Sequence, residues 1–158
     1  LRHFEREELI AELVSMTEWL DEQTVLSEIA LDYRIKSYAS IVGKYERYLN
    51  PSRHVSQVFN DILGFRAFCD SYNSVLALTS STFSVADLSE GKAADVGYRG
   101  VHLYFQLDND HYPVEIQFNT LYDRQLNNWL HDYLYKKTYS NEVGQQLRAR
   151  YENGKIRN

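Results

Sequence analysis

The sequence predicts an α+β domain in which helices flank a β-sheet. Residues 101–107 and 112–118 alternate apolar and polar side chains with a period of two, which is typical of strands with one buried face. Short apolar runs at 64–69 and 82–88 predict two more strands. Elsewhere, apolar residues recur every three to four positions, as in amphipathic helices. The length of 158 residues suits a single domain over 1–158 with one core.

Helices are predicted wherever the three-to-four spacing persists, and in chain order they cover residues 3–20, 22–32, 37–49, 53–61, 70–80, 120–137 and 140–152. The third helix ends at residue 49 because Asn50 precedes Pro51, and the residue before a proline disfavours the helical region. The helix over 120–137 is expected to bury Leu121, Leu126, Trp129, Leu130, Tyr133 and Leu134. Residues 89–97 contain two glycines and few apolar residues, and therefore predict a mobile loop.

The composition argues against several classes of protein. A formal net charge of -5 disfavours a general nucleic-acid coat, for which a basic surface would be expected. Cys69 is the only cysteine, so no disulfide can form within the chain, and a reducing cytoplasm is the simpler location. We recognise no signal peptide and no apolar run of membrane-spanning length, so no membrane partner is expected.

The two alternating segments predict a β-hairpin with one polar, exposed face. A turn at Asp108-Asn109 places His102 opposite Glu115 on that face. Moving the turn by one residue moves the partner of each residue by two positions along the other strand, so both side chains stay on that face. The other side chains predicted to be exposed on the hairpin are Tyr104, Gln106, Pro113, Gln117 and Asn119.

Glu115 and His102 are candidates for chemistry on this face. Glu115 lies between Val114 and Ile116, where a carboxylate is costly unless it faces a cavity, a metal or a substrate. His102 beside it could act as an acid-base or substrate-positioning group. The alternative is ordinary, because a lone strand histidine is more often a half-buried structural residue.

A basic pattern precedes the strands. Lys36, Ser40 and Lys44 are spaced four apart, so on a helix they form one stripe, with Arg34 just before it and Arg47 one turn beyond. Lysine is a mobile point charge and arginine a planar fork, and both suit phosphate oxygens. The stripe is consistent with a polyphosphate site, and the alternative is a solvated basic face.

Asp61 and Tyr98 are two further candidates. Asp61 precedes the predicted strand over 64–69, where a carboxylate could bind Mg²⁺, which prefers few carboxylates together with substrate phosphates. An ordinary turn residue is the alternative. Tyr98 follows Gly97 and precedes Arg99-Gly100, in a loop where an exposed ring could stack on a purine or simply pack in a turn.

Four short motifs follow one another with compatible gaps. They are Arg34-x-Lys36-x3-Ser40-x3-Lys44, Asp61-Ile-Leu-Gly-Phe-Arg66, Gly97-Tyr98-Arg99-Gly100-Val101-His102 and Glu115-Ile-Gln117. In this order they resemble the synthetase domain of the RelA/SpoT family of (p)ppGpp synthetases. The stretch from Trp129 to Lys136 resembles the end of that family's pattern. The resemblance therefore covers about residues 34–137, with predicted helices flanking it at both ends.

This resemblance implies a mixed β-sheet of nucleotidyltransferase type and transfer of pyrophosphate from ATP to the 3′-hydroxyl of GDP or GTP. On the ATP side, it implies that Arg34 lies against the adenine and that the phosphates are held by Lys36, Ser40, Lys44 and Arg66. It further implies that Asp61 binds Mg²⁺, and that Glu115 completes the metal site or takes the proton from the acceptor hydroxyl. On the acceptor side, it implies base stacking by Tyr98, with the acceptor positioned by His102, Gln117 and Lys92.

Two positions depart from the family pattern and leave the acceptor open. Val96 stands where the family has asparagine, and Asn119 where it has arginine. One alternative keeps the ATP chemistry but uses an adenine nucleotide or the 3′ end of tRNA, as in toxic relatives, although the acidic net charge weighs against tRNA. A second alternative is a catalytically silent nucleotide-binding module. The sequence also leaves the oligomeric state open, a homo-oligomer included.

Overall fold

The computed structural model describes residues 6–29, 31–48, 58–78, 81–91, 95–109, 111–134 and 140–156. Six helices lie within them: α1 (Arg6–Asp21), α2 (Thr24–Glu28), α3 (Tyr38–Arg47), α4 (Tyr72–Leu76), α5 (Leu121–Tyr133) and α6 (Asn141–Glu152). The five strands are β1 (Asp32–Ile35), β2 (Leu63–Phe68), β3 (Phe83–Asp87), β4 (Val101–Phe105) and β5 (Val114–Asn119). None of these helices has the length and apolar character required to cross a bilayer.

The strands form one five-stranded sheet in the order β1-β2-β5-β4-β3. β1 runs antiparallel to β2, with Asp32 opposite Arg66 and Ile35 opposite Leu63. β4 and β5 are neighbours in the sheet, as the predicted hairpin requires. The sheet is mixed and accompanied by helices, so the predicted α+β class is confirmed.

One predicted helix extends too far, into the first residue of a strand that was not predicted. The helix predicted over 22–32 is α2, which ends at Glu28, and β1 begins at Asp32. β1 has only four residues, so its pattern is too short to predict a strand, and its pairing with β2 supplies the hydrogen bonds that define it. The helix predicted over 53–61 falls largely outside the described residues, and Asp61 itself lies in a turn.

The chain divides into two compact units, of which the first comprises Leu1–Ala67, Ser81–Ser84 and Leu103–Ile116. Its core is a cluster of buried apolar side chains from α1, α3 and the segment before β2, namely Leu9, Ile41, Val58, Phe59 and Ile62. Ile41 of α3 and Ile62 belong to the same cluster, so this packing holds α3 beside the turn at residue 61.

The second unit comprises Phe68–Ser80, Val85–His102 and Gln117–Asn158. Its core cluster contains Leu126, Leu130, Leu134 and Tyr151, which confirms burial of three of the leucines predicted on α5. The prediction is wrong for Leu121, Trp129 and Tyr133, which are 67%, 43% and 56% exposed. The buried side of α5 includes two polar residues instead, Asp123 and Asn127. A single domain over 1–158 stays a prediction.

Replacing Leu130 with alanine should lower the free energy of unfolding by roughly 2–5 kcal/mol, because the side chain is fully buried in the second core cluster. Leu121→Ala is the matched control on the same helix, since exposed substitutions usually change stability by less than about 0.5 kcal/mol. Urea denaturation followed by circular dichroism measures both variants. Equal losses would contradict the burial assigned to α5.

Candidate active site

Asp61 lies between two lysines in the first unit. Lys36 Nζ donates to Asp61 Oδ2 at 2.5 Å, and Lys44 Nζ donates to Asp61 Oδ1 at 3.0 Å. The three side chains are 12%, 19% and 26% exposed for Lys36, Lys44 and Asp61. Each carboxylate oxygen therefore has its own ammonium partner, in charge-assisted hydrogen bonds that are stronger than neutral ones.

The two lysines reach Asp61 from different elements, which their spacing in the sequence did not predict. The expected helical stripe is wrong for Lys36, which lies in the connection between β1 and α3, whereas Lys44 lies on α3. The backbone N–H of Lys36 donates to the carbonyl oxygen of Ile62 at 2.8 Å, which fixes this connection beside the start of β2. Ser40 is in the first turn of α3, where its hydroxyl pairs with that of Ser37 at 2.9 Å.

The two lysines control the charge state of Asp61. Burial would raise the pKa of this carboxyl, but the hydrogen bonds and positive charges of Lys36 and Lys44 outweigh burial and hold the pKa below its usual value. The carboxylate is therefore ionised at neutral pH. A pair of ordered ammonium groups converging on one anion is also the arrangement that a phosphate group needs.

The two arginines of the predicted ATP group lie on neighbouring strands. Arg34 is exposed on β1 opposite Gly64, and Arg66 is half-buried on β2 opposite Asp32. All five residues predicted to bind ATP thus belong to the first unit. They lie on β1, β2, α3 and the connection between β1 and α3.

Glu115 is a buried carboxylate in the same unit. It is 7% exposed, and the Tyr104 hydroxyl donates to its Oε1 at 2.9 Å. The predicted exposure of the polar face of β5 is therefore wrong for Glu115, and also for Asn119, which is 2% exposed. β5 is the central strand of the sheet, and none of its residues is exposed. The alternation of apolar and polar residues in β5 therefore does not distinguish a solvent face from a buried face.

The carboxylates of Asp61 and Glu115 suit Mg²⁺, which is usually bound by one or two carboxylates together with phosphate oxygens and water. Asp61 precedes β2, and Glu115 Oε2 lies beside Gly64 of that strand, 3.7 Å from where a Cβ would be. Among the residues that the structure describes, no three of His, Cys, Asp or Glu come together as a metal site. A divalent cation held by these two carboxylates would take its other ligands from water or from phosphate oxygens.

Tyr98 and His102 are brought together in the second unit. The Tyr98 hydroxyl and His102 Nε2 are 2.7 Å apart, and their rings meet edge to face with centroids 5.5 Å apart. Gly100 makes room for this pair, because a Cβ at that position would lie 2.8 Å from the Tyr98 hydroxyl. Gln117 is half-buried on β5, and Lys92 lies outside the described residues.

Arg148 of α6 contacts the loop that carries Tyr98, and no motif in the sequence indicates this contact. Its guanidinium is 2% exposed and donates to Gly97 O at 2.8 Å, to Asp123 Oδ1 at 2.5 Å and to Asn127 Oδ1 at 3.2 Å. The loop that carries Tyr98 is therefore bound to α6 and α5 through one buried side chain. The available signal was the spacing of Arg148 between Gly144 and Tyr151, which places a cation on the packed face of a helix.

Two glycine backbones are in close contact beside Arg148. Gly97 has a φ of +85°, and a Cβ there would lie 2.4 Å from the carbonyl oxygen of Gly144. A Cβ on Gly144 would lie 2.1 Å from the carbonyl oxygen of Val96. Both positions thus need glycine, Gly97 for its positive φ as well as for the contact.

The mixed sheet with its accompanying helices is a fold that this chain shares with solved structures. The sequence matches the family described as "Region found in RelA / SpoT proteins" over residues 33–140. The chain therefore belongs to the RelA/SpoT family, as the order of its motifs predicted. α6 and its Arg148 lie outside the matched region. The comparison with curated proteins gives no match.

Solved structures share this fold at low identity. Small alarmone synthetase 1 from Bacillus subtilis, bound to its product pppGpp, has a TM-score of 0.62 and 22% identity over 94% of this chain and 92% of that chain. A GTP pyrophosphokinase family protein from Streptococcus pneumoniae has a TM-score of 0.59 and 20% identity over 98% and 94%. The Type VI effector Tas1, in complex with its immunity protein, has a TM-score of 0.54 and 13% identity over 92% and 94%.

The stability of the protein should depend on pH through Asp61. Its pKa is lowered by folding, so its contribution is complete above about pH 4, the ordinary value for an aspartate, and is lost as the pH falls through the lowered pKa. Asp61→Asn should therefore cost more stability at pH 7 than at about pH 3. Urea unfolding at both pH values tests this, with the exposed Asp70→Asn as control. A pH-independent difference would contradict the pairing.

Gly144→Ala should destabilise the protein by about 1–3 kcal/mol, because the new methyl group would overlap the Val96 carbonyl. Gly43→Ala is the matched control, since nothing lies within 4 Å of a Cβ there. That control should gain roughly 0.5–1 kcal/mol from helix propensity. Melting temperatures measured by calorimetry compare the two, and a stabilised Gly144→Ala protein would refute the backbone contact.

Proposed function

We propose that the chain is a Mg²⁺-dependent pyrophosphokinase that transfers pyrophosphate from ATP to the 3′-hydroxyl of GDP or GTP. The observation that carries this proposal is the convergence of Lys36 and Lys44 on Asp61. Membership of the RelA/SpoT family supports it. Fold similarity to a small alarmone synthetase bound to pppGpp and to a GTP pyrophosphokinase family protein supports it further.

The first unit would hold ATP. Lys36 and Lys44 would contact phosphate oxygens, with the Ser40 hydroxyl as a further donor. Arg66 would add positive charge from β2, and Arg34, exposed on β1, would stack on the adenine. These residues would align the triphosphate without forming any covalent bond to it, and positioning is the main requirement of in-line phosphoryl transfer.

Asp61 and Glu115 would be the protein ligands of Mg²⁺. The bound ion would neutralise charge on the phosphate oxygens. The Tyr104 hydroxyl, which donates to Glu115 at 2.9 Å, would hold this carboxylate in one orientation. The remaining ligands would be phosphate oxygens and water, as Mg²⁺ prefers.

In the transfer step, the 3′-hydroxyl oxygen of the acceptor would attack the β-phosphorus of ATP. The bond from that phosphorus to the oxygen bridging the α- and β-phosphates would break, and AMP would leave with the bridging oxygen. The hydroxyl proton would pass to the Glu115 carboxylate. The lysines would stabilise the charge that develops on the phosphate oxygens, which is where electrostatic catalysis is most effective.

The second unit would hold the acceptor. The Tyr98 ring would stack on its base, and His102 and Gln117 would hydrogen-bond its ribose or phosphates. Lys92 would contribute a cation to the acceptor phosphates. The hydrogen bond between Tyr98 and His102 supports this role, because it orders both side chains relative to each other.

A second candidate function keeps this chemistry and changes the acceptor to an adenine nucleotide or the 3′ end of tRNA. Asn119 favours it, because this position carries arginine in the family pattern and here offers no cation. The amide of Asn119 donates to Arg99 O at 3.0 Å and its Oδ1 accepts from Arg124 at 3.3 Å, so it is engaged within the fold. The fold similarity to the effector Tas1 is compatible with a toxin role.

One acceptor screen tests both candidates. ATP and Mg²⁺ are incubated with GDP, GTP, ADP or tRNA in parallel, and AMP and the 3′-pyrophosphorylated product are quantified. AMP formed with GDP or GTP supports the first candidate, and AMP formed only with ADP or tRNA supports the second. ATP binding without AMP from any acceptor would refute both and indicate a silent nucleotide-binding module.

Glu115→Gln should lower kcat by about 100-fold or more, the usual contribution of a positioned acid-base group, and should leave the binding of ATP without Mg²⁺ nearly unchanged. Glu142→Gln is the matched control, because Glu142 is exposed on α6. Turnover is followed by AMP release and ATP binding by calorimetry. Full activity in Glu115→Gln would remove this carboxylate from the mechanism.

A further inference from the structure

We propose that Arg148 is a positioning residue for the acceptor nucleotide, acting through the loop that carries Tyr98. The inference rests on the proposed function, since it assigns the acceptor to that loop. Arg148 lies on α6, outside the region that matches the RelA/SpoT family, so the family match gives it no role. The reason for assigning one is the set of peptide groups that it holds.

Arg148 fixes the peptide group on the N-terminal side of Tyr98. Its Nε donates to Gly97 O at 2.8 Å, and that carbonyl belongs to the peptide between residues 97 and 98. The same guanidinium donates to Asp123 Oδ1 at 2.5 Å, which neutralises its charge. Because the side chain is 2% exposed, water competes little for these bonds.

Asn127 fixes the peptide group on the other side of Tyr98. Its Oδ1 accepts from the Arg99 backbone N–H, which belongs to the peptide between residues 98 and 99, at 3.2 Å. Its Nδ2 donates to Arg99 O, in the next peptide, at 2.6 Å. Asn127 is itself oriented by Arg148, whose Nη2 donates to the same Oδ1 at 3.2 Å. Both peptide groups that flank the Cα of Tyr98 are therefore held by a network with Arg148 at its centre.

This arrangement determines the population of the loop conformation in which the Tyr98 ring can stack on a base. Holding the two flanking peptides restricts the backbone dihedrals of Tyr98, and so the direction of its ring. The apparent affinity of a ligand falls in proportion to the population of the binding-competent conformation. Lysine at position 148 would keep a charge near Asp123 but lacks the planar fork that reaches Gly97 O and Asn127 together.

The test compares Arg148→Lys with Arg150→Lys, an exposed arginine on the same helix, in the full chain. The KM values for ATP and for the active acceptor are measured separately. Arg148→Lys should raise the acceptor KM about tenfold, as a drop of the competent loop to about one tenth would, with the ATP KM within about twofold. Arg150→Lys should match the wild type. Amide exchange at Arg99, whose N–H is held by the Asn127 oxygen that Arg148 orients, should accelerate only in Arg148→Lys.

Other results would overturn the proposal. An unchanged acceptor KM in Arg148→Lys, or equal increases for ATP and the acceptor, would leave Arg148 with a purely structural role. If Arg148→Lys does not fold, Asn127→Ser replaces it, because this variant keeps the Arg148–Asp123 pair and should raise the acceptor KM alone. A wild-type chain that forms no AMP would refute the proposed function and this role together, whereas an active wild type with an unaffected variant refutes this role alone.

Discussion

The ion pair between Arg148 and Asp123 is the interaction on which the second unit depends. Asp123 accepts hydrogen bonds from Arg148, from the Tyr72 hydroxyl at 2.8 Å and from the Thr120 hydroxyl at 2.9 Å. Burial and the bond to Asp123 raise the pKa of Tyr72, so its hydroxyl stays a donor. One carboxylate thus joins α4, the start of α5 and α6. A buried charge is tolerated only with such partners, because an unpaired one costs several kcal/mol.

The same constraint explains how an irregular loop is held in a fixed conformation. Loop backbone has no ladder of its own, so its polar groups need side chains or water as partners. Here Arg148 and Asn127 supply them, and no buried polar side-chain atom among the described residues lacks a hydrogen-bond partner. The order of the loop therefore comes from helices that follow it in the chain by roughly thirty to fifty positions.

Local signals in the sequence predicted the sheet and the family motifs. Alternation in β4, and spacing of four from Leu126 to Leu134 in α5, are properties of neighbouring residues. β1 escaped prediction because a four-residue strand is defined by its partner. The burial of Glu115 escaped it because alternation cannot show that a strand is central in its sheet.

The candidate site shows the same division. Lys36, Lys44 and Asp61 were identified as residue types suited to phosphate and metal, but their meeting depends on the connection after β1 and on the turn before β2. Arg148 was missed because its importance lies in Gly97, Asp123 and Asn127, which are far away in sequence. Residue types suited to phosphate and metal could be predicted from the sequence. Which of them lie together in space could not, because that depends on contacts between residues far apart in the chain.

The salt bridges on Asp61 also affect the free energy with which the two lysines would bind a polyphosphate. Lys36 and Lys44 are already ordered and largely dehydrated around an anion, so the entropy of fixing them is lost during folding and not during ligand binding. Under the proposed function, an arriving phosphate exchanges with the carboxylate, and its affinity reflects the difference between two anions. The displaced carboxylate becomes available to a cation at that moment. ATP and Mg²⁺ would then each strengthen the binding of the other, since such coupling is reciprocal.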